Sequence, residues 1–310
     1  MSEERETTTY PSSAGYARVN GLELYYEVHG TGPPLVLLHG GLLTIDLTFG
    51  GILPALATTR QVVAVELQGH GHTGDIDRDP TLTHLADDVV GLLDHLGIGR
   101  ADFFGFSLGG LTALQLALTR PERVGRLVLA STHYRPDGYH PEILDPRALP
   151  GSPRMPTESD FQEMYEAYAK VAPDPGRFEA FAEKLQPTVH AFEGWPARSL
   201  AGMAAPVLLL VGDTDFVRLE HAVEMHELIP GSQLGVLPGT THSDLPRRAD
   251  LVVPMVRAFL TSPVDASEGD EPVSDGSVGG RPVGDGAVGD GAVGDRPVGD
   301  APADGISAAG

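Results

Sequence analysis

A serine stands between two glycines in Gly105-Phe-Ser-Leu-Gly109, inside the run FFGFSLGGLTALQLAL of residues 103–118. The run begins as a continuous apolar strand and resumes, past the glycines, with helical apolar spacing. A chain that turns from strand to helix over one residue holds that residue in a strained conformation, and small residues two positions to either side leave room for it. The turn lifts the Ser107 side chain above the end of the sheet, at a helix N-terminus. There the backbone N–H groups and the helix dipole favour developing negative charge, which suits an attacking hydroxyl. The pentapeptide alone is a weak signal; the strand before it and the helix after it weigh against a mere glycine-rich helix entry.

A hydroxyl becomes a nucleophile when a base takes its proton, and the base must be oriented by an acid. For a serine on such a turn the chain order is Ser, acid, His. The strand-like segment 206–211 ends in Gly212-Asp-Thr-Asp215. Two carboxylates, Asp213 and Asp215, thus stand just past the C-terminal end of a parallel strand, where sites form in open sheets. Pattern alone does not choose between them. Of the twelve histidines, only His221, His226 and His242 follow these acids. The first two fall in a helix-like stretch, 220–228, and read as exposed polar residues. His242 falls in the loop PGTTHSDLP after a last strand at 234–237 and is the expected base. An oxyanion needs donors too. Leu108 offers one backbone N–H, and the turn Leu38-His-Gly-Gly-Leu42 after the strand PLVLL offers the second, from Gly41 or, failing that, Gly40.

These residues need a frame. Residues 22–29 alternate as a half-buried strand does, while 34–38, 61–67, 101–106, 126–130 and 206–211 are short apolar runs of the kind buried parallel strands show. Between them lie amphipathic helical stretches at 83–96, 108–119 and 251–260. The alternation predicts an α/β fold, a mostly parallel sheet covered on both faces. The pattern lapses over about 132–204, where proline, tyrosine and charge rise. That segment reads as a small helical lid inserted after the strand near 126–131, with helices near 159–172 and 174–185. The domain is expected over 15–261, after a flexible segment 1–14.

From Ser262 the composition narrows almost wholly to Gly, Ala, Val, Pro, Asp and Ser, with a five-residue unit at 283, 288, 293 and 298 (VGDGA, VGDGA, VGDRP, VGDAP). Ten acids and two arginines with no aromatic residue predict a disordered acidic tail over 262–310. A calcium-binding β-roll would need a nine-residue period. The whole chain of 310 residues carries a net charge of −22 and no cysteine. The charge opposes nucleic acid and anionic membranes; the lack of thiols excludes disulfides, thiolate catalysis and cysteine-held zinc. No apolar run reaches the roughly 18 residues of a membrane helix, and the polar start, MSEERETTTYPSS, has no secretory pattern, so a cytoplasmic protein is expected.

In order along the chain, HGG at 39–41, LQGHGHTGD at 67–75, LADDVVGLLDHLGI at 85–98, GFSLGG at 105–110, LLLVGDTD at 208–215 and LPGTTH at 237–242 resemble the α/β-hydrolase superfamily, in particular its small esterase-like, haloperoxidase-like and C–C hydrolase-like members. The resemblance covers about residues 21–260. It implies the α/β-hydrolase fold, Ser107 as nucleophile, His242 as base, Asp215 (three residues after the glycine that ends the strand) as acid, and Gly41 as oxyanion donor beside Leu108. Two positions depart from the family pattern: Glu66 stands where many relatives carry Asp, which reads as minor, and Leu42 replaces a recurring proline. A serine nucleophile argues against dehalogenases and epoxide hydrolases. His70-Gly-His72 with Asp75, which could pass for a metal cluster, reads as a tight turn; no metal and no cofactor are expected.

The resemblance implies hydrolysis of a carboxylic ester, thioester or lactone through an acyl-enzyme, with a small acyl molecule as the partner. The same three residues also serve C–C bond hydrolases, cofactor-free perhydrolases and acyltransferases, and a small-molecule receptor with slow turnover would keep them as well. Substrate contacts are expected from Gly40, Leu42, Phe106, Tyr134, Trp195 and Phe216.

Overall fold

The computed structural model describes residues 12–145, 147, 151–190 and 192–262. The strands are β1 (Ser13–Val19), β2 (Leu22–His29), β3 (Pro34–Leu38), β4 (Gln61–Val65), β5 (Ala101–Phe106), β6 (Val124–Ala130), β7 (Val207–Thr214) and β8 (Gln233–Thr241). They form one eight-stranded sheet in the order β1-β2-β4-β3-β5-β6-β7-β8. β1 pairs with β2, and β2 with β4, antiparallel; every later pairing is parallel. The helices are α1 (Ile45–Phe49), α2 (Leu53–Leu56), α3 (Leu82–His95), α4 (Leu108–Thr119), α5 (Pro141–Leu144), α6 (Glu158–Val171), α7 (Phe178–His190), α8 (Ala197–Ala201), α9 (Leu219–Leu228) and α10 (Ala249–Thr261).

The apolar runs are buried on both sides because successive side chains leave a strand on opposite faces. Val36, Leu38, Val63, Val65, Phe103 and Leu129 pack against α3 and α4. Their neighbours Leu35, Leu37, Val62, Ala64, Phe104 and Val128 pack against α1, α2 and α10 on the other face. Helices on both faces, with parallel strand ends aligned at one edge, gather the turns after β3, β5, β7 and β8 in one place.

Some boundaries differ from the sequence reading. Ser13 and Ala14, assigned to the flexible segment, pair with Val28 and Glu27 in β1. The hairpin turns on Asn20 (φ 50) and Gly21 (φ 83), the Asn-Gly pair that type I′ turns favour. α7 runs past the expected end at 185 and through Pro187. Its last turn docks on the body, where Thr188 Oγ1 donates to the Pro80 carbonyl at 3.0 Å, and that anchoring offsets the N–H which proline lacks. β8 extends to Thr241, pairing with Thr214 after a register shift, so His242 follows a strand directly and does not sit deep in a loop. The segment between β6 and β7 is helical as expected. α6 starts on a capping box, with Thr157 Oγ1 accepting from Asp160 N–H and Asp160 accepting from Thr157 N–H. Lys184 of α7 holds Asp75 at 2.8 Å. Apart from Ser262, the tail reading falls outside the described residues. Among the described residues no helix is long and apolar enough to cross a membrane.

Candidate active site

Ser107 links β5 directly to α4 and has φ 52, ψ −116. That is a strained conformation for a residue with a Cβ, and its neighbours make it fit. A Cβ on Gly109 would lie 2.0 Å from the Leu38 carbonyl oxygen, and one on Gly105 would lie 2.4 Å from the Gly109 carbonyl oxygen. The two glycines therefore let the helix start press against β3 and β5, leaving the serine at the crest.

Ser107 Oγ lies 3.0 Å from His242 Nε2, and His242 Nδ1 lies 2.7 Å from Asp215 Oδ1. Asp215 is buried and accepts three further bonds. Ser131 Oγ and the Gly212 N–H donate to Oδ2 at 2.5 and 3.2 Å, and the Val217 N–H donates to Oδ1 at 3.2 Å. Burial alone would push its carboxyl up, but the His242 charge and these bonds outweigh burial and hold it below the ordinary value. An ionised Asp215 takes the Nδ1–H of His242 and leaves Nε2 to accept from Ser107. Asp213 has a different task. It is exposed, and its carboxylate accepts the N–H groups of Gly239 and Thr240 at 2.8 and 3.1 Å, tying the end of β7 to the strand that delivers His242. Of the two carboxylates left open by pattern, Asp215 is the one the structure places against His242. The His242 ring lies parallel to Phe216 (centroids 3.8 Å apart, 4° between planes) and tilted against Phe106 at 5.0 Å.

The turn after β3 is built around His39. Its Nε2 accepts from the Leu67 N–H at 3.1 Å, so Nδ1 carries the proton and donates to the Gly40 carbonyl at 2.8 Å. The Gly40 carbonyl also accepts from Leu43 N–H, and Leu42 turns the chain at φ 61. Among the described residues, neither the Gly41 nor the Leu108 N–H has a protein acceptor. Glu66 is more than a minor departure. Buried, it accepts from the Ile45 N–H (3.2 Å), the His72 N–H (2.6 Å) and His72 Nδ1 (2.8 Å), and so fixes the start of α1 to the 70–72 turn. That hydrogen bond leads the causes that raise the His72 pKa. His70 faces the Gln68 carbonyl and Asp75 faces Lys184, so the cluster that could pass for a metal site is divided among separate partners.

A cavity of about 250 Å3 opens over Ser107. Gly40, Gly41, Leu42, Phe106, Leu108 and Phe216 line it with Ser107 and His242. Tyr134 and Trp195, both expected there, do not. The Tyr134 hydroxyl donates to Glu224 at 2.7 Å and its ring stacks on His221, which turns it towards α9. Trp195 donates from Nε1 to Gln115 at 2.9 Å and pins the insertion to α4. His221, expected to be exposed, is buried. Its Nε2 accepts from the Tyr134 N–H at 3.2 Å, and burial pushes its pKa down to about 4. The residue missed is Tyr139, buried in the cavity wall with its side chain against Ser107. Burial and then the Asp215 charge push its phenol above the usual value, so it keeps its proton.

With this geometry, the chain matches the family model described as alpha/beta hydrolase fold over residues 33–169. It is 39% identical over 125 residues to the dihydrolipoyllysine-residue acetyltransferase component of the acetoin cleaving system of Pseudomonas putida, covering 37% of this chain and 32% of that protein. It is 34% identical over 128 residues to the putative carbamate hydrolase RutD of Rhizobium rhizogenes, covering 40% and 49%. The chain thus spans about a third to a half of the length of these curated relatives. The solved enol-lactonase of Burkholderia xenovorans LB400 superposes with a TM-score of 0.63 at 27% identity, covering 80% of this chain and 100% of that one. The chain has the α/β-hydrolase fold.

Proposed function

We propose that the chain is a serine hydrolase that cleaves a carboxylic ester, thioester or lactone through an acyl-enzyme on Ser107. The observation that carries this reading is the line Ser107–His242–Asp215, with contacts of 3.0 and 2.7 Å, opening on an apolar cavity. His242 Nε2 takes the Ser107 proton as Oγ attacks the carbonyl carbon. The Gly41 and Leu108 N–H groups hold the oxyanion; losing one such donor costs about 3 kcal/mol in the transition state. His242 returns the proton to the leaving alkoxide or thiolate, then deprotonates water, which releases the acid. Asp215 stays ionised and stabilises the imidazolium. The Tyr139 hydroxyl, kept protonated, lines the cavity wall beside Ser107. The enol-lactonase likeness extends over the whole of that protein and favours a cyclic or linear ester. A carbamate, named for the shorter matches, undergoes the same acyl transfer. We keep the cytoplasm as the proposed compartment.

The test is hydrolysis of p-nitrophenyl esters from acetate to decanoate by wild type and Ser107→Ala. Turnover lost in the variant, with an optimum at a chain length that fits the cavity, is the expected result. Equal rates in both proteins would reduce Ser107 to a helix entry.

A further inference from the structure

Part of the cavity wall is charged. Asp160 and Glu163 come from α6, and Arg247 comes from the turn that follows His242. Arg247 is the only lysine or arginine among the described residues lining the cavity, and it is already engaged. Its Nη2 donates to Glu163 Oε2 at 2.6 Å. Asp160 also feels it. After the bonds from Thr157, the Arg247 charge helps hold the Asp160 carboxyl below its ordinary value. Two carboxylates and one guanidinium thus line this part of the cavity, which leaves it net negative. The side chains of Arg247 and Glu163 are 45% and 47% exposed, so a ligand group can reach the pair. A guanidinium is a planar fork that binds carboxylates in two-point contact. Here Glu163 already takes up one arm of the fork.

We propose that Glu163 is a specificity-determining residue, which by occupying Arg247 makes the cavity select uncharged acyl groups and reject those ending in a carboxylate. The proposal rests on the hydrolase reading above and names its substrate class. An acyl chain with a terminal carboxylate would have to displace Glu163 or lie beside two like charges. An apolar chain carries no charge to set against these carboxylates. Neutralising Glu163 frees the Arg247 fork and weakens the preference.

The experiment compares p-nitrophenyl hexanoate with mono-p-nitrophenyl adipate, two acyl chains of equal length that end in methyl or carboxylate. Wild type is expected to favour hexanoate in kcat/KM by tenfold or more. In Glu163→Gln the adipate-to-hexanoate ratio should rise about tenfold, the scale of one charge-assisted hydrogen bond, and the gain should shrink in high salt. The double variant Glu163→Gln/Arg247→Gln should lose the gain, which separates a freed cation from a loosened insertion. Calorimetric binding of hexanamide and of the mono-amide of adipic acid reads the same preference without turnover. A protein that hydrolyses neither ester but shifts amide preference in Glu163→Gln would sink the hydrolase reading and keep the selectivity role of Glu163. Equal use of both esters by wild type, an unmoved ratio in Glu163→Gln, or a gain that survives loss of Arg247 would each overturn the proposal.

Discussion

Exchanging Asp215 for asparagine changes no heavy-atom count, yet it should silence the site. The carboxylate accepts four bonds, from His242, Ser131, Gly212 and Val217. An amide has one accepting oxygen. If that oxygen stays with Ser131 and the Gly212 N–H, the amide NH2 faces His242 Nδ1 and the Val217 N–H. His242 must then present a bare Nδ1, and its proton moves to Nε2, aimed at Ser107. The base has become a donor. A wrong tautomer of this kind costs roughly 10⁴-fold in kcat, about 5.4 kcal/mol of activation. The stranded Val217 N–H adds on the order of 1–3 kcal/mol of lost stability. The pH dependence has a definite sign. The Asp215 pKa is lowered in the folded state, so its contribution to stability is present above the unfolded carboxyl value, about 3.9, and is lost as pH falls through the folded value. The stability gap between wild type and Asp215→Asn should therefore be wide at pH 7 and close in strong acid. Asp213→Asn is the comparator. It weakens an exposed tie to Gly239 and Thr240 and should leave kcat within a few-fold. Ester hydrolysis and thermal melts on the two variants decide the matter. An Asp213→Asn protein slower than Asp215→Asn, or an Asp215→Asn protein within tenfold of wild type, would refute the assignment.

Other consequences follow from the same contacts. Gly109→Ala drives a Cβ to 2.0 Å from the Leu38 carbonyl oxygen, so the variant should be recovered poorly folded, with a melting point far below wild type. Tyr139→Phe keeps the ring packed against His133 but deletes the hydroxyl beside Ser107; kcat should fall about tenfold, the cost of a modest hydrogen bond, whereas Tyr134→Phe, outside the cavity, should leave kcat alone. Glu66→Gln removes the partner that raises the His72 pKa. That pair stabilises the fold fully below the unfolded histidine value, about 6.5, and the gain fades as pH rises through the folded one. The variant's melting-point deficit should accordingly be larger at pH 5.5 than at pH 9.

The apolar strands were legible because both of their faces are buried, which leaves uninterrupted runs such as PLVLL. Likewise α4 spans the stretch expected for it, Leu108–Thr119, because the glycines fix its start. β1 escaped notice since Ser13, Ala14, Tyr16 and Arg18 face solvent, so little of it reads as core. Chain order pointed to Ser107 and His242, which the structure brings together, because each directly follows a strand, but it left Asp213 and Asp215 open. The cavity wall was not legible. In the irregular stretch after β6, no period tells which tyrosine turns inward, and the hydrogen bond of Tyr134 to Glu224, 90 residues away, leaves no local trace. Glu66 looked interchangeable with aspartate because its partners, Ile45 and His72, lie on two separate turns.

The most direct test of the central claim is to trap the acyl-enzyme. The protein would be mixed with p-nitrophenyl hexanoate, quenched in acid within the first turnover, digested, and weighed by mass spectrometry. The account predicts a hexanoyl increment on the peptide that carries Ser107, matched by a burst of one p-nitrophenol per protein and absent in Ser107→Ala. Turnover with no acylated peptide, or an increment on another residue that persists in Ser107→Ala, would contradict it.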